Sequence, residues 1–398
     1  VRRYFLAIIL VISWLIAPSL SDLAIATSSP AHFIVTGSGY GHGVGMSQIG
    51  AEGQALEGLT ATEILNYWFP GTAVVPTPVN KNIKVNIGHS ISSGSFTLKP
   101  VDTSTAWSVG TQSLPINSTL KFSISGKSIA LVVITPKQAT QTFSSKSPWT
   151  LSFNGLLATN IQGKVMNLRY GSIGVKLVGS KIEVTDTMSI EQYVLGISEV
   201  SSSWPTAALQ AQVIASRTYG LAHTTIRSVC DCNVYSSNYD QVYVGYAKES
   251  ESTYGQFWSA AVTATQSDAN SALAITYQGK PISVFFFASD GGVTQSAAEV
   301  WGSGQPYLTN VKDPWSLDIF LNPYYAHWQR VISQNDMAAA FALPDVAIVS
   351  ITSRASSNAA TVITATSSTG ATASLSVGDF KSKLRLPSSW FEIAPPGY

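Results

Sequence analysis

Charge is what this chain has least of. Asp, Glu, Lys and Arg make up 11% of its 398 residues, where a soluble domain has about a quarter. Lysine and arginine nowhere cluster, which excludes a surface built to neutralise phosphates and argues against a nucleic-acid partner. Ser, Thr, Asn and Gln must then supply much of the surface, a composition that suits contact with a polar, hydrogen-bonding polymer such as a carbohydrate. Long apolar runs are also missing. Leu6 to Ala17 is too short to span a bilayer and Ala130 to Ile134 is strand-length, so no transmembrane segment is expected once the N-terminus is removed. Phosphate-loop spacing is absent: no Gly-x-Gly-x-x-Gly occurs in the glycine-rich segment, and no lysine follows it in the required place.

Cysteine is limited to Cys230 and Cys232, in Cys-Asp-Cys. Export favours a disulfide, although one intervening residue closes a tight ring. Free thiols are a second reading. A third is a zinc site of His223, Cys230 and Cys232, which has no clear fourth ligand. The expectation is no cofactor, with zinc as the alternative.

What is present begins with an export signal. Arg2 and Arg3 form a basic start, the apolar run follows, and Ala24-Ile25-Ala26 is a small-x-small cleavage site. Residues 1–26 are therefore read as a signal peptide, with an uncleaved anchor as the alternative, and the mature chain as secreted, at the cell wall or outside the cell. Beyond residue 26 basic and acidic residues balance. Apolar residues at 45%, ten tryptophans among them, suffice for a sizeable core.

The pattern along the chain predicts an α+β fold: a β-rich core with a few packed helices and an additional all-β segment. Residues 27–79 hold alternating glycines (37, 39, 41, 43 and 45) and then a helix that Thr60-Ala-Thr-Glu63 opens as a capping box and Pro70-Gly71 stops. Residues 80–163 read as a β-rich insert or accessory domain, and residues 164–398 as the main domain. In the latter, Ser189 caps a helix running to about Ser198, and Pro205 opens a second in which small residues recur at helical spacing. Gln256–Ala269 and Gln334–Ala342 read as helices, and Ile282–Phe287 as an apolar strand.

Few residues can carry chemistry. Glu199 stands just before a Ser-rich turn and Trp204; a carboxyl beside an aromatic ring and short of water gains proton affinity, as a general acid requires. A solvated helix-end glutamate is the plainer reading. His42 lies among the glycines, either bonded to backbone or facing a ligand. Arg217, on a face of Ala and Tyr, is either an ion-pair partner or a ligand anchor. Ser289-Asp-Gly-Gly292 reads as a tight turn: no histidine is near in sequence, and no nucleophile elbow is present there.

Four blocks resemble the SpoIID/LytB family. They are Tyr193-Val-Leu-Gly-Ile-Ser-Glu199 with Ser203-Trp-Pro205 and Ala215-Ser-Arg217-Thr-Tyr219; Gln241-Val-Tyr243-x-Gly245; Phe286-Phe-Ala-Ser-Asp-Gly-Gly292 with Glu299-Val-Trp301-Gly302; and Gly41-His-Gly-Val-Gly-Met-Ser-Gln48 with Ile64-Leu-x-Tyr67 and Pro70-Gly-Thr72. The last stands near the C-terminus in the usual family layout, so the chain looks circularly permuted. Permutation would bring residues 31–72 against 189–310 and the 390–393 end close to Ala31. A second departure is Gln210 where the family often has lysine.

The resemblance implies cleavage of peptidoglycan glycan strands by a lytic transglycosylase, leaving 1,6-anhydro-N-acetylmuramic acid ends, with Glu199 as the acid/base. It implies that Arg217, His42, Ser47, Gln48, Tyr193, Gln241, Tyr243, Ser289, Gly291, Gly292 and Trp301 bind substrate, with Arg217 and His42 within a side-chain length of Glu199. The competing reading is a non-catalytic wall-binding protein or an amidase enhancer, whose partner would be a cell-wall amidase.

Overall fold

The structure, a computed structural model, describes residues 29–101, 106–109 and 112–394. The expected signal peptide lies outside the described residues. No helix among those described is long and apolar enough to cross a membrane. The fold is α+β and β-rich, with helices α1 (Gln48–Leu56), α2 (Ala61–Trp68), α3 (Ile190–Leu195), α4 (Thr206–Ala222), α5 (Gly255–Ala264), α6 (Ala297–Trp301), α7 (Gln334–Phe341) and α8 (Val377–Leu384).

Two sheets dominate residues 82–189. One runs, in spatial order, Thr140–Ser145, Ser128–Ile134, Thr119–Ser125, Ser95–Pro100, Leu157–Ile161, Lys164–Leu168. The other centres on Asn82–Ile91, Lys181–Ser189, Ser172–Val178 and Trp149–Asn154. Alternation turns Ile129, Leu131 and Val133 inward from the first sheet and Ile173, Val175 and Val184 from the second, into one shared core. Each such side chain contributes about 1.5–3 kcal/mol on burial.

Helix α4 joins this core to a second. Its Leu209 and Val213 belong to the sheet core, while Ala211, Ile214 and Ala215 face a cluster with Ile64, Leu65 and Trp68 of α2 and Val44 and Met46. Small residues on α4 let α1, α2, α3 and α5 all approach it. Residues 31–72 thus pack directly on the 189–310 region: α1 and α2 lie on α4, and Met46–Ser47 pairs in parallel with Phe286–Phe287. Strand His32–Ser38 pairs with Trp390–Ile393, Val35 opposite Ile393, which brings the two ends of the described chain together as the sequence led one to expect. The same strand pairs with Trp328–Ser333 over a third core, that of α7, α8 and the sheet Ile348–Arg354, Ala360–Thr366, Thr372–Ser376.

The Thr60–Glu63 and Ser189–Gln192 capping boxes form. Four local expectations need correction. The helix read over Gln256–Ala269 is α5 and ends at Ala264, because the chain leaves the helix at Thr265 and Gln266 bridges to Ala272. Helix α3 ends at Leu195, not near Ser198, because Gly196 leaves the helix and the chain after it pairs with residues 242–244. Pro205 is the N-cap of α4 rather than its first turn. The apolar run 282–287 is strand only at Phe286–Phe287; Ile282 and Val284 are spent on packing into the second core.

Gly45 shows why the glycines alternate. Its φ is +84°, and a Cβ there would lie 2.1 Å from the Phe285 carbonyl oxygen, backbone that cannot yield. Gly45→Ala should cost on the order of 1–3 kcal/mol, read as a lower urea midpoint at unchanged slope; an unchanged midpoint would refute the close approach.

Candidate functional site

Glu199 stands where two clefts meet. One, of about 670 Å³, is lined by Val200, Ser201, Trp204, Val244, Lys248 and Glu251 among others. The other, of about 540 Å³, is lined by His42, Tyr239, Asp240, Phe285, Phe287 and Trp301 among others. Gln48, Glu199 and Ala288 belong to both.

Backbone pairing aims the glutamate. The Ser198 N–H donates to the Val242 carbonyl at 2.8 Å and the Val244 N–H to that of Gly196 at 2.9 Å, laying 196–199 antiparallel to 242–244. The Val242 N–H then donates to Glu199 Oε1 at 2.6 Å. Among the described residues nothing bonds Oε2. Burial pushes the Glu199 carboxyl above the usual range, against the opposing pull of the Val242 N–H. The group thus keeps its proton to a higher pH than an exposed glutamate.

Of the other expected residues, three share these clefts. Gln48 Nε2 reaches the Glu199 carbonyl at 3.4 Å and Gln212 Oε1 at 3.3 Å. His42 and Trp301 line the second cleft, their rings 5.7 Å apart. Trp301 is 45% exposed. His42 Nδ1 accepts from the Val44 N–H at 3.1 Å, and burial, assisted by the nearby Lys381 ammonium, lowers its pKa to about 4. His42 is therefore neutral and oriented at neutral pH. Since the unfolded chain takes up this proton near its ordinary 6.5, stability should fall as pH drops from there toward 4. His42→Gln should flatten that part of the stability–pH curve, and an unchanged curve would contradict the assignment.

The others are corrected. Arg217 is fully buried and paired not with Glu199 but with Glu191, Nε to Oε1 at 2.6 Å and Nη2 to Oε2 at 2.9 Å. Its Nη1 donates to the Leu273 carbonyl at 3.1 Å. It ties α3, α4 and the strand Ser271–Tyr277, and presents nothing to a ligand. Ser47 is buried as the N-cap of α1, its Oγ 3.2 Å from that of Ser316. Tyr193, Gln241 and Tyr243 are buried beneath Glu199: Gln241 Nε2 donates to Tyr193 Oη at 3.1 Å, and the two tyrosine rings stack at 5.7 Å. They support the strand-like segment that holds the carboxylate and do not touch the clefts. Ser289 is buried, and among the described residues its Oγ has no partner. Gly291 packs under Trp390 beside a different cleft, and Gly292 turns the chain at φ +101°. Gln210 lines neither of the two clefts.

Cys230 and Cys232 are bonded to each other. His223 stacks on Tyr219 at 3.9 Å with Nδ1 2.8 Å from the Tyr219 carbonyl, so these three residues do not form a ligand set. Sequence patterns did not mark Lys248, which lines the first cleft and donates to the Val200 carbonyl at 2.7 Å. Nor did they mark Asp240, which accepts from Tyr219 Oη at 2.5 Å and from Arg227 at 2.6 and 2.9 Å. A single lysine or aspartate carries no pattern by which to find it.

Residues 178–270, which include Glu199, match the family model SpoIID, stage II sporulation protein. Stage II sporulation protein D of Bacillus amyloliquefaciens is 29% identical over 163 residues, 39% of this chain and 47% of that protein. An uncharacterized protein of Brachyspira hyodysenteriae is 32% identical over 173 residues, 42% of each. The amidase enhancer of Bacillus subtilis is 33% identical over 128 residues, 31% of this chain and 16% of that one. The chain thus spans less than half the length of each of these relatives. No solved structure matches it. The segment that matches the SpoIID model contributes Glu199 to the junction of the two clefts, and Gln48 and Ala288 come from outside it.

Proposed function

We propose that the protein acts on the bacterial cell wall as a peptidoglycan lytic transglycosylase, with Glu199 as its acid and base. The observation that supports this best is the placement of one partly buried carboxyl, its proton affinity raised, at the meeting point of two clefts. Protonated Glu199 gives its proton to the glycosidic oxygen as the C1–O bond breaks. The carboxylate so formed takes the proton of the C6 hydroxyl of the same sugar, whose oxygen bonds to C1. The products are a free hydroxyl on the leaving strand and a 1,6-anhydro ring, and no water is consumed. One carboxyl serves both steps, so the second acid of ordinary glycosidases is not needed. Purified strands incubated with the protein and with Glu199→Gln test the reading: cleavage by the first alone is the expected result.

Similarity to the amidase enhancer favours a second reading, in which the groove holds glycan while a cell-wall amidase does the cutting. Glycan retained but uncut by the unaltered protein, together with stimulation of an amidase, would support it. Exported localisation belongs to both readings. Contact of residues 31–72 with α4, and of strand His32–Ser38 with Trp390–Ile393, supports the further reading that the glycine-alternating block is a permuted part of one family core.

A further inference from the structure

Six tryptophans, buried or partly buried, use their indole N–H within the protein. Trp68 donates to Gln54, Trp149 to the Ile129 carbonyl, Trp258 to that of Val194, Trp315 to Glu57, Trp328 to the Gly39 carbonyl and Trp390 to that of Ser357. Among the described residues whose side chains are placed, two tryptophans make no such bond, Trp204 and Trp301. Trp204 lines the first cleft and Trp301 the second, with Glu199 common to both clefts.

Trp301 is also fixed in place by the end of a well-anchored helix. It ends α6, whose Ser296–Glu299 capping box is complete and whose Glu299 further accepts from the Ser356 N–H at 2.9 Å and Asn310 Nδ2 at 2.7 Å. Phe285 backs the indole at 4.6 Å, yet nearly half of the residue stays exposed. An indole fixed in place along a cleft wall is ordered before a ligand arrives, which lowers the entropy cost of binding there. A pyranose ring fits it: its axial C–H bonds form an apolar face with partial positive charge, which meets the negative face of an indole. Its hydroxyl and acetamido groups are then directed toward polar lining such as Gln48, which borders both clefts, and Glu251 in the first.

We infer that Trp204 and Trp301 are stacking residues for two sugar subsites on opposite sides of Glu199, so that a β-1,4-linked N-acetylhexosamine strand lies across both clefts. This rests on reading the groove as a glycan site. Its consequence is attack within strands rather than at their ends, because sugar must occupy both arms around the scissile bond.

Titration calorimetry with N-acetylglucosamine β-1,4-oligosaccharides of increasing length tests it, in the Glu199→Gln background so that nothing is cut. Trp301→Ala and Trp204→Ala should each weaken binding of long oligomers about tenfold, the scale of one lost stacking contact. Trp301→Phe and Trp204→Phe should restore most of it, which guards against misfolding at the half-buried Trp204. Oligomers too short to span both arms should respond to one substitution only. Unchanged affinity for long oligomers in both alanine variants, or no oligomer binding by the parent, would overturn the inference. Failure of Glu199 as the acid reads out differently, as persistent cleavage by Glu199→Gln with the tryptophan dependence intact.

Discussion

Glu199→Gln should lower glycan-strand turnover by about 10²-fold or more, the usual contribution of a positioned general acid, while leaving strand binding near that of the parent. The amide keeps the shape of the carboxyl, and its oxygen can still accept the Val242 N–H that now meets Oε1 at 2.6 Å. What is lost is the proton. Stability should not suffer. A carboxyl whose folded-state pKa is raised loses stabilisation as pH rises from its unfolded value through its folded one; the neutral amide carries no such penalty and should be at least as stable above that window. Turnover by the parent should in turn fall as pH rises through the elevated pKa of Glu199. Equal turnover by parent and variant would remove Glu199 from the chemistry.

Arg217→Met should destabilise the fold strongly, by about 3 kcal/mol. Breaking a buried pair costs about 3–5 kcal/mol when the remaining charge is left uncompensated, and Glu191, only partly buried, retains some access to water. The methionine also strips a donor from the Leu273 carbonyl. A urea titration should show the loss as a lower midpoint, with oligosaccharide affinity of the folded protein unchanged. Were Arg217 instead a substrate ligand, affinity would fall and the midpoint would hold.

The contrast between these two residues shows what the sequence could reveal. Glu199, Gln48, His42 and Trp301 come from blocks far apart in the chain, and family resemblance marked them before any geometry did; the fold brings them to one groove. The same resemblance marked Arg217, Tyr193, Gln241 and Tyr243, but a recurring motif does not separate residues that touch a ligand from those that hold the residue that does. Burial decides that, and burial depends on contacts such as Glu191 to Arg217 that bridge 26 positions. Local structure was legible where its cause is local, as in the Thr60 and Ser189 capping boxes. It was not where tertiary pairing intervenes. The run 282–287 has the composition of a strand, yet its residues pack singly into a core, and the end of α3 is fixed by pairing with residues 242–244.

Mass spectrometry of glycan strands digested by the purified protein tests the central claim most directly. The account predicts muropeptides ending in 1,6-anhydro-N-acetylmuramic acid, made by the parent and absent with Glu199→Gln. Reducing muramic acid ends carrying solvent oxygen, or intact strands after full incubation with folded protein, would contradict it.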